Sequence, residues 1–404
     1  MNPKLRQLEI VPIQHRGQPM LLLRDPLRLA DTSVAVPRQL APLLVLMDGS
    51  RGEQALEAAA LVRHGLRLAP GLLARLLHDL DASFLLDNSR FRTATSDALL
   101  AYRAAPSRPL AGLGDDCPAD AGGASAWLQA MIDALPSGPV SSTAGAVRGL
   151  VSPHIDYHRG GPVYAEVWSR AAESAAQAEL VILFGTDHSG SEASLTLTRQ
   201  SYATPWGVLP TDLDLVDALA EAIGPDHAYA HELHHRREHS IELAAVWLHH
   251  VRGGRGVPVI PILCGSFAGF IAGEGDPAAH EPFSRALALL GRAMAARRSL
   301  VVAAADLAHV GPAFGDPYGL DPIGRAQVQQ ADQRLLSAVC AGDAQAFFDR
   351  LKAERDRRHV CGLPPIYLTL RLLAGACGEP AGYALCPADP EAISYVSIAG
   401  VLLR

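Results

Sequence analysis

The stretch RGLVSPHIDYHRGG, Arg148–Gly161, decides how the chain is read. An apolar run from Gly149 to Val151 meets Pro153 and at once delivers His154, Asp156, Tyr157 and His158, closed by Gly160 and Gly161. This is the pattern of a buried strand that ends in polar chemistry. It recurs where Leu180–Phe184 runs into Gly185, Thr186, Asp187 and His188, and where Leu300–Ala305 runs into Asp306 and His309. Short apolar runs bounded by glycine or proline predict central strands of a sheet covered on both faces. Ligand crevices of open α/β sheets lie at the carboxyl ends of the strands, so three strands ending in His and Asp predict one shared polar site. The structural alternative is that these residues cap helices and form turns.

Composition narrows the function classes. A chain of 404 residues has room for two or three domains with a substantial core. Its formal net charge of −7 at pH 7 lacks the basic footprint of a nucleic-acid binder. The start, MNPKLRQLEI, has no apolar leader, and no run approaches the roughly 18 apolar residues of a membrane span, so a cytoplasmic protein without membrane association is expected. The six cysteines lack CxxC spacing and read as core thiols.

Along the chain, Leu8–Ile13 and Met20–Leu23 predict a hairpin, and Arg38–Met47, Glu53–Arg63 and Pro70–Leu80 predict three helices. Ser83–Asp87 and Arg90–Phe91 suggest a wing. Residues 1–105 are thus expected to form a small winged-helix-like α+β domain, resembling the peptide-binding modules found with radical-SAM enzymes and suited to docking a peptide or partner. The third helix offers only Arg75 and His78 beside Asp79 and Asp81, which disfavours DNA reading. Residues 106–147, rich in Pro, Ala, Gly and Ser, are expected to be a linker with a tether helix at Ala124–Leu135. Residues 148–404 are expected to form an α/β domain, a mixed central sheet with helices on both faces.

Two histidine-rich segments need weighing. His231, Glu232 and His235 match the H-E-x-x-H pattern of zinc proteases, which leaves a zinc hydrolase as a minor alternative, but the polar segment before them does not suit a buried helix. Glu238-His239-Ser240-Ile241-Glu242 opens an apolar helix, where His239 could transfer protons with Glu242 as its partner.

Taken together, SPHIDYHRGG at 152–161, GTDH at 185–188, YATPWG at 202–207, EHSIE at 238–242, ADLAH at 305–309 and CGLPPI at 361–366 resemble the Memo family, whose prokaryotic members are called AmmeMemoRadiSam system protein B. The resemblance implies a class III extradiol-dioxygenase-like fold and a metal-dependent oxidoreductase or dioxygenase of the non-heme iron type. It places metal-binding histidines at His154 and His188, with His239 nearby. Asp187 or Asp306 would complete the ligand set for a divalent metal, Fe(II) first, with Cu or Zn as alternatives. Asp156, Tyr157 and His309 are expected to line the pocket. Where relatives carry Cys or Ser before the histidine of the ADLAH motif, this chain has Ala308, so that thiolate is expected to be missing. Radical-SAM and AMMECR1-like proteins are the implied partners, with a small-molecule or peptide substrate. The other functional class is a non-catalytic binding or scaffold protein that keeps the pocket.

Overall fold

The computed structural model describes residues 2–113, 117–136 and 145–404, and divides into two compact units, Met1–Ala104 and Ala105–Arg404. In the first, β1 (Glu9–His15), β2 (Gln18–Arg24) and β3 (Val34–Pro37) form an antiparallel sheet in that order. The helices α1 (Ala41–Leu46), α2 (Glu53–His64), α3 (Leu72–Ala82) and α4 (Ser89–Ala104) follow. A leucine core that includes Leu23, Leu43, Leu56 and Leu80 holds the unit together. The expected wing is absent: Arg90 and Phe91 lie inside α4, because the Asn88 side chain accepts the Phe91 N–H at 3.0 Å and caps a helix there. The sheet therefore precedes the helices, and its third strand is Val34–Pro37.

The second unit is built on an eight-stranded mixed sheet. Its strands are β4 (Gly149–Ser152), β5 (Leu180–Thr186), β6 (Leu195–Leu197), β9 (Val259–Cys264), β10 (Ser299–Ala304), β11 (His309–Val310), β12 (Gly378–Pro387) and β13 (Tyr395–Leu403), while β7 (Tyr202–Thr204) and β8 (Gly207–Leu209) pair separately. The order is β11-β13-β4-β10-β5-β9-β6, with β12 also on β13. β4, β10, β5 and β9 run parallel, and the flanking strands are antiparallel. The helices are α5 (Ala121–Asp133), α6 (Tyr157–Gln177), α7 (Leu213–Ile223), α8 (Pro225–Ala228), α9 (His239–Val251), α10 (Ala268–Ala272), α11 (Glu281–Ala296), α12 (Pro322–Cys340), α13 (Ala344–Ala353) and α14 (Leu363–Leu372).

Strand alternation sorts the core into two layers. Ile182, Phe184, Ile260 and Ala303 pack with Phe283, Phe347 and Leu370 on one face. Val181, Leu183, Val259 and Val302 pack with Trp168 and Trp247 on the other. The crossover helix α6 carries the chain from β4 to β5, yet the two strands are not neighbours, because β10 inserts between them. Its carboxyl end therefore places Asp306 between the segments that bear His154 and His188.

Part of the expected linker belongs to this unit. The Arg108 guanidinium is fully buried, donates to the carbonyls of His235 at 2.8 Å and Glu238 at 2.7 Å, and pairs with the Glu242 carboxylate. The tether helix is α5; residues 114–116 and 137–144 of the segment lie outside the described residues. Among the described residues no helix is long and apolar enough to cross a membrane.

Candidate metal centre

The carboxyl ends of β4, β5 and β10 converge with the start of α9 and the loop before α14. Two glycines make this possible. A Cβ on Gly185 would lie 2.5 Å from Ile241 and 2.6 Å from the Ser240 hydroxyl, so glycine at the end of β5 lets α9 bring His239 close. A Cβ on Gly362 would lie 2.3 Å from the Asp306 carbonyl, so the segment carrying Cys361 can lie against β10.

Three donors meet here: ligating atoms of His154, His188 and Cys361 lie within 4.8 Å of one another. His154 holds the Ala304 carbonyl through Nδ1 at 3.0 Å, and its Nε2 lies 3.2 Å from Cys361 Sγ. His188 meets the Glu238 carboxylate through Nδ1 at 3.0 Å, and it too bonds Cys361. An imidazole anchored through one nitrogen and open at the other is the usual posture of a metal-ligating histidine. His239 completes the cluster, with ring centroids 5.5 Å from His154 and 5.0 Å from His188. A second set, His188, Glu238 and His239, is equally compact.

Charges alternate through the group in the order Asp306, His154, Cys361, His188, Glu238. Burial opposes charge on His154, but Asp306 and Cys361 outweigh it and bring the imidazole up to about 9. Burial also opposes the Cys361 thiolate, yet His154, His309 and His188 pull the thiol down to about 5. Glu238 is likewise held well below its ordinary value against burial, by His188 and then His239. His239 behaves differently: burial, reinforced by His188 and only partly offset by Glu238, brings it down to about 4, so its ring is neutral near pH 7. The low thiol pKa and the raised imidazoles describe a thiolate held between protonated rings, and since coordination needs the thiolate with neutral rings, a metal bound here would displace the protons of His154 and His188.

The other expected residues distribute unevenly. Asp306 stays close, its Oδ2 lying 3.7 Å from His154 Nε2 while Oδ1 accepts the His154 backbone N–H at 2.8 Å. Asp187 turns away and accepts from His234 Nδ1 at 2.8 Å, outside the converging donors. Glu242 is not the partner of His239: it is consumed by Arg108 and by the N–H groups of Ala111 and Gly112, at 3.0 and 2.7 Å. Glu238 takes that place, 3.3 Å from His239 Nδ1, because as the residue capping α9 it projects back over the helix start. Asp156 caps α6, Tyr157 donates to the Leu243 carbonyl at 2.6 Å, and His309 lies at the pocket wall.

The zinc-protease pattern is structural. His235 is fully buried with Nδ1 on the Tyr202 hydroxyl at 2.7 Å and Nε2 on the Thr196 carbonyl at 2.9 Å, so neither nitrogen can take a metal. Ala308 packs with Val310, Val328 and Tyr395. The thiol expected to be missing at position 308 is offered instead by Cys361, not a core thiol but a neighbour of His154 and His188. Its signal was its position at the head of the CGLPPI motif.

Two cavities flank the centre. One, of about 440 Å³, is lined by His154, His188, His239, Asp306, His309 and Phe314 among others. The second, of about 840 Å³, shares His188 and adds Cys361.

Comparison with known proteins points in one direction. The family described as Memo-like protein matches residues 111–385. A MEMO1 family protein of Aquifex aeolicus (strain VF5) is 24% identical over 374 residues, 92% of this chain and 91% of its own length. That span exceeds the second unit, so the similarity extends into the amino-terminal one. A MEMO1 family protein of Methanosarcina acetivorans is 28% identical over 54% of this chain and 70% of its own. The protein memo-1 homolog of Caenorhabditis elegans is 28% identical over 56% and 61% respectively.

Proposed function

The chain belongs to the Memo-like protein family, and from that premise we propose that its second unit is a metal-dependent, oxidoreductase-like enzyme whose metal is held by His154, His188 and Cys361. The observation that carries the reading is the convergence of three donors, with each imidazole anchored through Nδ1. Two imidazoles and a thiolate suit Fe(II), Cu and Zn, the thiolate favouring the softer ions. A redox-active metal in this set would supply electron transfer to substrate or dioxygen.

The remaining residues have roles of their own. Asp306 holds the His154 backbone and balances the charge on its ring. Glu238 orients His188 and His239 together. Neutral His239, with Nδ1 toward Glu238, keeps Nε2 for accepting a proton from a substrate in the smaller cavity. Arg108, Glu242 and the N–H groups bound to Glu242 hold residues 108–112 beside His239, so Glu242 positions rather than transfers protons. The alternative, a non-catalytic binding or scaffold protein, is favoured by the lack of a thiol at position 308, and the nearness of Cys361 to His154 and His188 supports the metal reading over it. Radical-SAM and AMMECR1-like partners belong to the same proposal, to be tested by co-purification.

The deciding experiment is anaerobic calorimetric titration of the full chain with Fe(II), repeated with Cu(I) and Zn(II). One equivalent bound by the wild type is expected. Equal binding by Cys361→Ala and His154→Ala would remove the metal from the reading, and the enzyme with it.

A further inference from the structure

The larger cavity has a composition that the metal site does not explain. Its floor is apolar, with Phe267, Ile271 and Leu363, and its rim carries Arg355, Arg357 and His359, while one wall ends at His188 and Cys361. Arg355 and Arg357 are exposed, and neither side chain makes a hydrogen bond or ion pair with a described residue. The acidic groups in the same wall are already engaged: Asp187 accepts from His234, and Asp356 accepts the Val360 N–H at 2.9 Å. Glu354 is likewise taken by Arg358, so the two guanidinium groups are left without a carboxylate in ion-pair contact among the described residues.

The loop that presents them is held in an uncommon shape. Arg355, Asp356 and His359 have φ of 55°, 44° and 50°, in the left-handed region that non-glycine residues seldom occupy. Arg358 anchors it, buried and paired with Asp332 and Glu354. One arginine of the segment is spent on holding the loop, and the two that precede it, Arg355 and Arg357, line the cavity.

We infer that this cavity binds an organic anion, a carboxylate or phosphate on a compact aromatic or apolar body, with the head on Arg355 and Arg357 and the body on Phe267 and Ile271. An open volume of about 840 Å³ with an apolar floor and a few convergent polar groups is the form of a small-molecule site. Planar guanidinium groups recognise both carboxylate and phosphate. The metal reading enters only in what lies beyond: a ligand so held would present its body to the His188 and Cys361 side of the centre.

Binding of phenylacetate, phenyl phosphate and the neutral benzyl alcohol to the full chain in the presence of a chelator tests the site without any metal. The anions should bind at least about tenfold more tightly than the alcohol, and Arg355→Gln with Arg357→Gln should remove that advantage while leaving alcohol binding unchanged. Filling the mouth with Ala268→Trp should weaken all three. Either order of the two anions stands within the inference and names the headgroup. Anions that bind no better than the alcohol, or a double variant that binds them as the wild type does, would overturn it. Because the arginine variant should still take up metal, failure here and failure of the metal centre are read separately.

Discussion

Two histidines of the second unit are almost equally buried, and they do opposite things. His235 and His154 are 0% and 1% exposed. His235 spends both ring nitrogens on the protein, through Tyr202 and Thr196, whereas His154 spends only Nδ1 and turns Nε2 toward Cys361. Burial does not separate a structural imidazole from a ligand. What separates them is whether the fold leaves one nitrogen unclaimed beside other donors.

The contrast can be broken most severely at the centre. His154→Ala, His188→Ala and Cys361→Ala should each abolish uptake of the single metal equivalent in calorimetric titration, while His235→Ala should still bind it when the folded fraction is measured. Uptake lost equally in His235→Ala would erase the distinction.

Next in size is the stability carried by His235. Burial takes its pKa from the ordinary 6.5 down to about 4. Below pH 6.5 the unfolded chain takes up a proton that the folded chain refuses until about 4. The contribution is therefore complete above 6.5 and lost as pH falls to 4, about 3 kcal/mol in all. Urea melts across that window should show the loss in the wild type and a smaller slope in His235→Phe.

A smaller effect sharpens the ligand side. Glu238→Gln keeps the shape but removes the charge that orients His188, and metal affinity should fall by about 10- to 100-fold with stoichiometry unchanged. The same loss from Glu242→Gln would contradict the separate role given to Glu238. The smallest expected change is at position 308. Ala308→Cys should leave affinity within error of the wild type, since this side chain packs among Val310, Val328 and Tyr395; a tightened site would show that the backbone there can turn toward the metal.

Much of the fold was legible because its signals are local. Continuous apolar runs such as Leu180–Phe184 must be covered on both faces, and the helix expected at Glu53–Arg63 runs from Glu53 to His64, ended by Gly65 at φ 63°. The wing failed for an equally local reason, an asparagine cap that outweighed the appearance of a short strand at Arg90–Phe91. The segment after residue 105 misled because its Pro and Gly content describes backbone stiffness, not burial. Arg108 lies in it, and its ion pair with Glu242 spans 134 positions of sequence.

From sequence alone came the residues that end strands in chemistry: His154, His188 and Asp306 follow apolar runs, and a sheet of this kind gathers strand ends at one edge. Only the tertiary structure chose among the remaining donors. Asp187 and Glu242 were drawn off by His234 and Arg108, Glu238 was turned inward as a helix cap, and Cys361 arrived from a loop 207 positions after His154. Such choices depend on which side chains find a closer partner once the chain is packed, and that competition is decided by distances that do not exist until β10 has inserted between β4 and β5.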